Sequence, residues 1–167
     1  WEQVQKAMEI YRERCKDRND VVVKVINERF AGVAICHVAE NKEEEAIGLN
    51  GARWFLHNVA KLFEPLMVKN NLYSYEYLRS LFDLGADAND LTDAQLKEHP
   101  MVTVGNPDEV NRKLETFAQA GLDQTIFFKQ AGRIPHKNIM RSISRIGQYV
   151  IPYFNPHKAV PSEETLF

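Results

Sequence analysis

Residues 101–154 read MVTVGNPDEVNRKLETFAQAGLDQTIFFKQAGRIPHKNIMRSISRIGQYVIPYF, and the fold class follows from this stretch. Met101 to Val104 is a short apolar run that stops at Gly105. Asn106-Pro107-Asp108-Glu109 then opens a helix. Asn106 can accept from a free backbone N–H, and Pro107 sits where its missing N–H is not needed. Asp108 and Glu109 oppose the positive end of the helix dipole, and Glu109 stands three residues after the cap, as in a capping box. Val110, Leu114, Phe117 and Ala118 make one apolar stripe, and Gly121 offers the left-handed conformation that ends a helix. Thr125-Ile126-Phe127-Phe128 reads as a second strand. A loop from Lys129 to Pro135 leads into a helix with Ile139, Met140, Ile143, Ile146 and Val150 on one side and a stop near Pro152. Strand, helix, strand, helix with tight loops is the pattern of a parallel α/β sheet.

Upstream, FAGVAICHV (residues 30–38) is a continuous apolar strand apart from His37, as expected of a strand buried on both faces. Asn41 with Glu44 repeats the capping-box spacing and starts a helix that runs to about Glu64. Ile47, Trp54, Phe55, Val59, Leu62 and Phe63 are its packing residues. Gly48 and Gly51 weaken its middle, and Pro65 stops it. Val21 to Ile26 is β-branched enough for a fourth strand. Trp1 to Lys16 forms an amphipathic helix with Val4, Ala7, Met8, Tyr11 and Cys15 on one face. It starts without a cap or turn, so the chain is expected to begin inside a longer polypeptide. Residues 66–100 form an insertion, long for a connection in an α/β domain, which either covers the end of the sheet or acts as a lid. Within it, Thr92 to Gln95 has the spacing of a capped short helix. Residues 1–154 are thus one domain, followed by a tail at 155–167.

The composition is that of an ordinary globular chain: 167 residues, 44% hydrophobic, 26% charged, net charge −2. Arg12, Arg14, Lys16 and Arg18 alternate with Glu13 and Asp17, a solvated helix face rather than a nucleic-acid surface. Apolar runs are too short to cross a bilayer, and a cytoplasmic location is expected. Cys15 and Cys36 lie far apart without clustered partners, so neither a disulfide frame nor a metal site is expected.

Ligands of parallel α/β sheets bind at the carboxyl ends of strands. That rule selects Glu40 and Asn41, Gly105 and Asn106, and the loop from Lys129 to His136. In the loop, Lys129, Gln130, Arg133 and His136 stand with Gly132, which permits close backbone approach to an anion or cofactor edge, and Gln130, Arg133 and His136 are the candidate cofactor contacts. The plainer alternative has Arg133 pairing with a neighbouring helix and His136 simply starting one. His37 reads as a core histidine. His57, His99 and His157 have no partner at metal-ligand spacing. Glu43, Glu44 and Glu45 sit in a helix's first turn, where the dipole accounts for them. Gly-rich phosphate loops, a Gly-x-Ser-x-Gly elbow and His-Glu-x-x-His are all absent from the sequence.

Val104-Gly105-Asn106-Pro107-Asp108-Glu109-Val110, Gly121-Leu122-Asp123-Gln124-Thr125-Ile126 and Val150-Ile151-Pro152, with HVAENKEEEA upstream, resemble the C-terminal half of luciferase-like flavin-dependent monooxygenases. Asn106 stands where that family has Ser or Thr, an equivalent cap. The resemblance spans most of residues 30–154 and implies the last part of a (β/α)8 TIM barrel, with the helical insertion before the penultimate strand. A complete barrel takes about 250 residues. It also implies that reduced FMN and O2 oxidise a small organic substrate. Most flavin contacts and the catalytic residues would then lie upstream of Trp1, and residues 66–100 would close over the flavin. A deazaflavin-dependent hydride-transfer enzyme on the same fold is the alternative. A non-catalytic assembly fragment is a third reading. An incomplete barrel leaves strand edges and an apolar face open, so association with another copy or with the rest of the polypeptide is expected.

Overall fold

The apolar run that begins at Ala31 takes the centre of the sheet. The computed structural model describes residues 2–16, 29–65 and 88–155. In it, β1 (Ala31–Val38) lies between β2 (Val102–Gly105) and β3 (Gln124–Phe128), all parallel, in the order β2-β1-β3. β2 pairs with the carboxyl half of β1, Ile35 opposite Val102 and Val38 opposite Gly105. β3 pairs with the amino half, Ala31 opposite Gln124 and Ile35 opposite Phe128.

Parallel neighbours need crossovers, and α2 (Lys42–Glu64) and α4 (Pro107–Gln119) provide them. The short α3 (Asp93–Glu98) precedes β2, and α1 (Glu2–Lys16) precedes β1. After β3 come α5 (His136–Arg145), a π-helical turn (Ile146–Val150) and α6 (Ile151–Phe154). Ile35 packs with Leu49, Ala52 and Leu56 of α2 and with Val102 and Val104. Ala34, Cys36 and Val38 pack on the other face with Val110, Leu114 and Phe117 of α4 and with Ile146 and Val150. Helices on both faces explain why β1 is apolar at successive positions.

A barrel of consecutive units would set β2 between β1 and β3. The described strands instead form an open sheet with β1 in the middle. The burial pattern gives the reason: β1 is buried at every residue from Ala34 to Val38, whereas β3 alternates between half-buried and exposed. The expected fourth strand at Val21 to Ile26, residues 66–87 of the insertion and the tail from Pro156 lie outside the described residues. The near end of the insertion is pinned to α2, where Arg53 donates to the carbonyls of Ala88 and Leu91 at 2.6 Å each and pairs with Asp93 at 2.8 Å.

The helix boundaries follow the expected chemistry at α4 and α3. Asn106 Oδ1 accepts from Glu109 N, and Glu109 Oε2 accepts from Asn106 N, both at 2.9 Å. Thr92 and Gln95 form the same box for α3. At the far end of α4, Gly121 (φ +89°) lets its own N–H reach Ala118 O and the Leu122 N–H reach Phe117 O, the paired bonds of a Schellman turn. α2 departs from the pattern. Asn41 caps Glu44 N, but Glu44 Oε2 accepts from Glu40 N, one residue earlier than a capping box requires.

Several expectations change. Trp54 and Leu62 of α2 and Ala118 of α4, expected on packing faces, are exposed. Pro152 does not stop the last helix. Its ring would collide with the carbonyl four residues back, and the wider π turn just before it, with Ile151 N donating to Ile146 O, lets the helix continue to Phe154. The stripe of that helix is rotated as well: Met140 and Ile143 are exposed, while Ser142 is buried with Ile139, Ile146 and Val150. In α1, Met8 and Cys15 are buried but Ala7 is exposed.

Gly48 and Gly51, read as weak points of α2, are close-approach points. A Cβ at 48 would lie 2.8 Å from the His37 ring, and one at 51 would lie 2.8 Å from Ala131 O. Replacing Asn106 with Ala is expected to lower the unfolding free energy by about 1 kcal/mol in urea melts, with Asn106→Ser close to the parent. Equal midpoints for all three would show that this cap carries no weight.

Candidate functional site

β3 ends at Phe128, opposite Ile35, so the backbone of β1 beyond that point has no strand neighbour on that side among the described residues. Cys36 O, Val38 N and Val38 O, which face the vacated side, would be orphaned polar groups in a buried sheet, a costly arrangement. Three side chains take the place of the missing strand. Lys129 Nζ donates to Cys36 O at 2.7 Å and to Ser142 Oγ at 2.6 Å. Ser142 Oγ accepts from Val38 N at 2.7 Å, and Arg145 Nη1 donates to Val38 O at 3.3 Å. Burial pulls the Lys129 ammonium below its ordinary pKa, with Cys36 opposing. Burial also pushes the Cys36 thiol up to about 11 despite the nearby lysine, which makes it a protonated, unreactive thiol.

Above this edge lies a charged array. Glu44 is buried, and its oxygens meet Arg145 at 2.5 Å, Arg141 at 3.1 Å and Glu40 N at 3.1 Å. Arg145 also pairs with Glu40 at 2.6 Å. Burial works to raise the Glu44 pKa, but the Glu40 N–H and the two guanidinium groups outweigh it and hold the carboxylate ionised. The dipole explanation for the acidic first turn of α2 is therefore incomplete. Glu45 is buried too, and it binds Lys97 and Lys42, each at 2.7 Å.

His37 lies in the core, as expected of that position, but neither ring nitrogen has a hydrogen-bond partner among the described residues. Burial pushes its pKa down to about 4, repulsion from Lys129 adds to the shift and Glu44 opposes it. The ring is neutral at neutral pH.

A cleft of about 840 Å³ opens at the carboxyl ends of β1 and β2. Ala39 and Glu40 follow β1, Asn106 and Pro107 follow β2, and α5 with the π turn supplies Met140, Arg141, Ile143, Arg145 and Tyr149. Asn111 Nδ2 donates to Tyr149 O at 3.3 Å and fastens the π turn to α4. Such a cleft can hold a small molecule with one apolar side and one charged side.

Gln130, Arg133 and His136 are all exposed on the loop after β3 and at the start of α5, and none of them lines this cleft. The loop is anchored by its apolar members. Ala131 and Ile134 are buried against α2, and Gly132 (φ +61°) turns over Trp54, whose Cβ would meet an added Cβ at 3.1 Å. Of the residues chosen by the strand-end rule, Glu40 and Asn106 do line the cleft. Ser142 and Arg145 were not anticipated. Their signal is Ser142 itself, a small polar residue on the buried line of an otherwise apolar helix.

Ser142→Ala strips the Val38 N–H of its acceptor and is expected to cost about 1–3 kcal/mol. Combined with Lys129→Met it should cost less than the two single changes summed. Strict additivity in a double-mutant cycle would refute a shared network. His37 gives a pH dependence of definite sign. Its folded pKa lies below the unfolded value, so only the unfolded chain takes up the proton between the two, and stability falls as pH drops. From neutral pH to about pH 5 the loss assigned to His37 is about 2 kcal/mol. His99, whose pKa burial also lowers, adds to the slope in the same direction. His37→Leu should flatten urea midpoints over that range, and an unchanged slope would contradict the assignment.

The chain matches no protein-family model, no curated protein and no solved structure.

Proposed function

We propose that this chain is part of a luciferase-like monooxygenase in which reduced FMN and O2 oxidise a small organic substrate. The observation that carries the reading is the resemblance of residues 30–154, of whose motifs HVAENKEEEA and Val104 to Val110 fall at strand ends and helix starts where ligands of parallel α/β sheets bind. The capped start of α4 follows β2, the Gly121 turn leads into β3, and the carboxyl ends of β1 and β2 meet at the cleft. The order β2-β1-β3 differs from a ring of consecutive units, so the proposal concerns the family's chemistry and does not extend to closure of a barrel.

The loop after β3 suits the anionic end of such a cofactor. Arg133 is an exposed cation, Gln130 offers an amide, and His136 opens α5, whose first turn has no side-chain cap. A phosphate there would gain from the guanidinium and from the helix dipole. Reduced flavin, when bound, supplies the electrons. The chain's part is to hold the phosphate through Arg133, orient the substrate in the cleft and exclude water with Met140, Ile143 and Tyr149.

Hydride transfer with a deazaflavin is the second reading. A non-catalytic role in assembly is the third, favoured by one observation. Val33, Ile126 and Phe128 on one face of the sheet are exposed, and among the described strands β3 lies at an edge. Such a face is suited to another copy or to the remainder of the polypeptide.

Anaerobic titration of the protein with reduced FMN, followed by admission of O2, separates the three readings. Saturable binding, weakened at least about tenfold by Arg133→Ala, with a changed rate of flavin oxidation by O2, is the expected result. Binding of a reduced deazaflavin in its place, unaffected by O2, would favour the second reading. Binding of neither, with concentration-dependent association, would leave the third.

A further inference from the structure

The cleft at the ends of β1 and β2 has two kinds of lining. Met140, Ile143 and Tyr149, which present apolar surface, are 50%, 44% and 53% exposed. Single exposed apolar residues are ordinary, but these three line one concavity whose volume falls in the range of about 300–1,000 Å³ typical of small-ligand sites. Arg141, Arg145 and Glu40 line the same cleft. Arg145 is committed to Glu44, Glu40 and Val38 O. Arg141 differs: it is half exposed and meets Glu44 at 3.1 Å, through the oxygen that Arg145 does not hold. A guanidinium has five N–H donors and binds carboxylates with two of them, so Arg141 has donors left for an anion. Asn106 and Pro107 bring the positive end of the α4 dipole to the same cleft.

The geometry points to a small monocarboxylate with an apolar tail as the ligand of this cleft, its head on Arg141 and its tail along Met140, Ile143 and Tyr149. Glu40, an exposed carboxylate beside the head position, opposes the ligand's charge and limits its affinity. As a substrate class this rests on the proposed oxidation, but the binding itself needs no flavin.

The test uses octanoate and 1-octanol as probes, followed by NMR of methyl-labelled methionine, with the Met140 signal assigned through Met140→Leu. Octanoate is expected to shift the Met140 methyl at lower concentration than octanol. Arg141→Gln should weaken octanoate at least about tenfold, the effect of losing a charge-assisted bond, and leave octanol within about twofold. Glu40→Gln should tighten octanoate. This opposite sign keeps the test decisive if Arg141→Gln disturbs folding through Glu44. Equal affinity for the two probes, no shift at Met140, or weaker octanoate binding by Glu40→Gln would overturn the assignment. Loss of octanoate binding with reduced FMN still bound would remove the substrate class alone. Octanoate binding without any flavin binding would remove the flavin reading alone.

Discussion

The unequal reach of the two edge strands governs the carboxyl end of this sheet. β2 accompanies β1 to Gly105, but β3 leaves at Phe128, and the exposed backbone groups are met by Lys129, Ser142 and Arg145. A strand would have met them with backbone alone. Side chains do the same work while bringing in two cations and a hydroxyl, which fixes both the position of α5 and the local charge. The ionised Glu44 follows from this. It lies buried because Arg145, already held at Val38 O, is there to pair with it, and a lone buried carboxylate would be neutral or excluded.

The acidic first turns of α2 and α4 are linked in a similar way. Lys97 Nζ reaches Glu45 at 2.7 Å and Glu109 at 2.8 Å. Glu109 thus serves two partners, closing the capping box with one oxygen and accepting from Lys97 with the other. Lys97 of α3 thus ties α2 and α4 together through ion pairs whose partners are largely shielded from water. That shielding gives more weight than the loose surface pairs elsewhere, such as Arg12 with Asp123 at 3.6 Å.

What was legible in the sequence was local. Asn106, Thr92 and Gly121 announce helix ends through bonds made within five residues, and the runs at Ala31–Val38 and Gln124–Phe128 announce strands through composition. What was not legible depends on which segments meet. Nothing in the spacing of β1, β2 and β3 says that β1 stands between the others. The partners of Glu44 lie about a hundred residues away in the chain. The π turn needed a balance between Pro152 and the buried Ile146 and Val150 that periodicity alone does not weigh. Candidate residues chosen by loop position, Gln130, Arg133 and His136, came out exposed, while the loop's one interior polar residue, Lys129, spans to β1.

Gly48 and His37 illustrate a different kind of dependence. The imidazole occupies the volume that a side chain on α2 would otherwise fill, with its ring carbons 2.8 to 2.9 Å from where a methyl would begin. The Cβ of His37 stands as close, at 2.8 Å, so trimming the imidazole alone does not open the space. Helix α2 approaches this strand so closely because one of the two facing residues has no side chain at all.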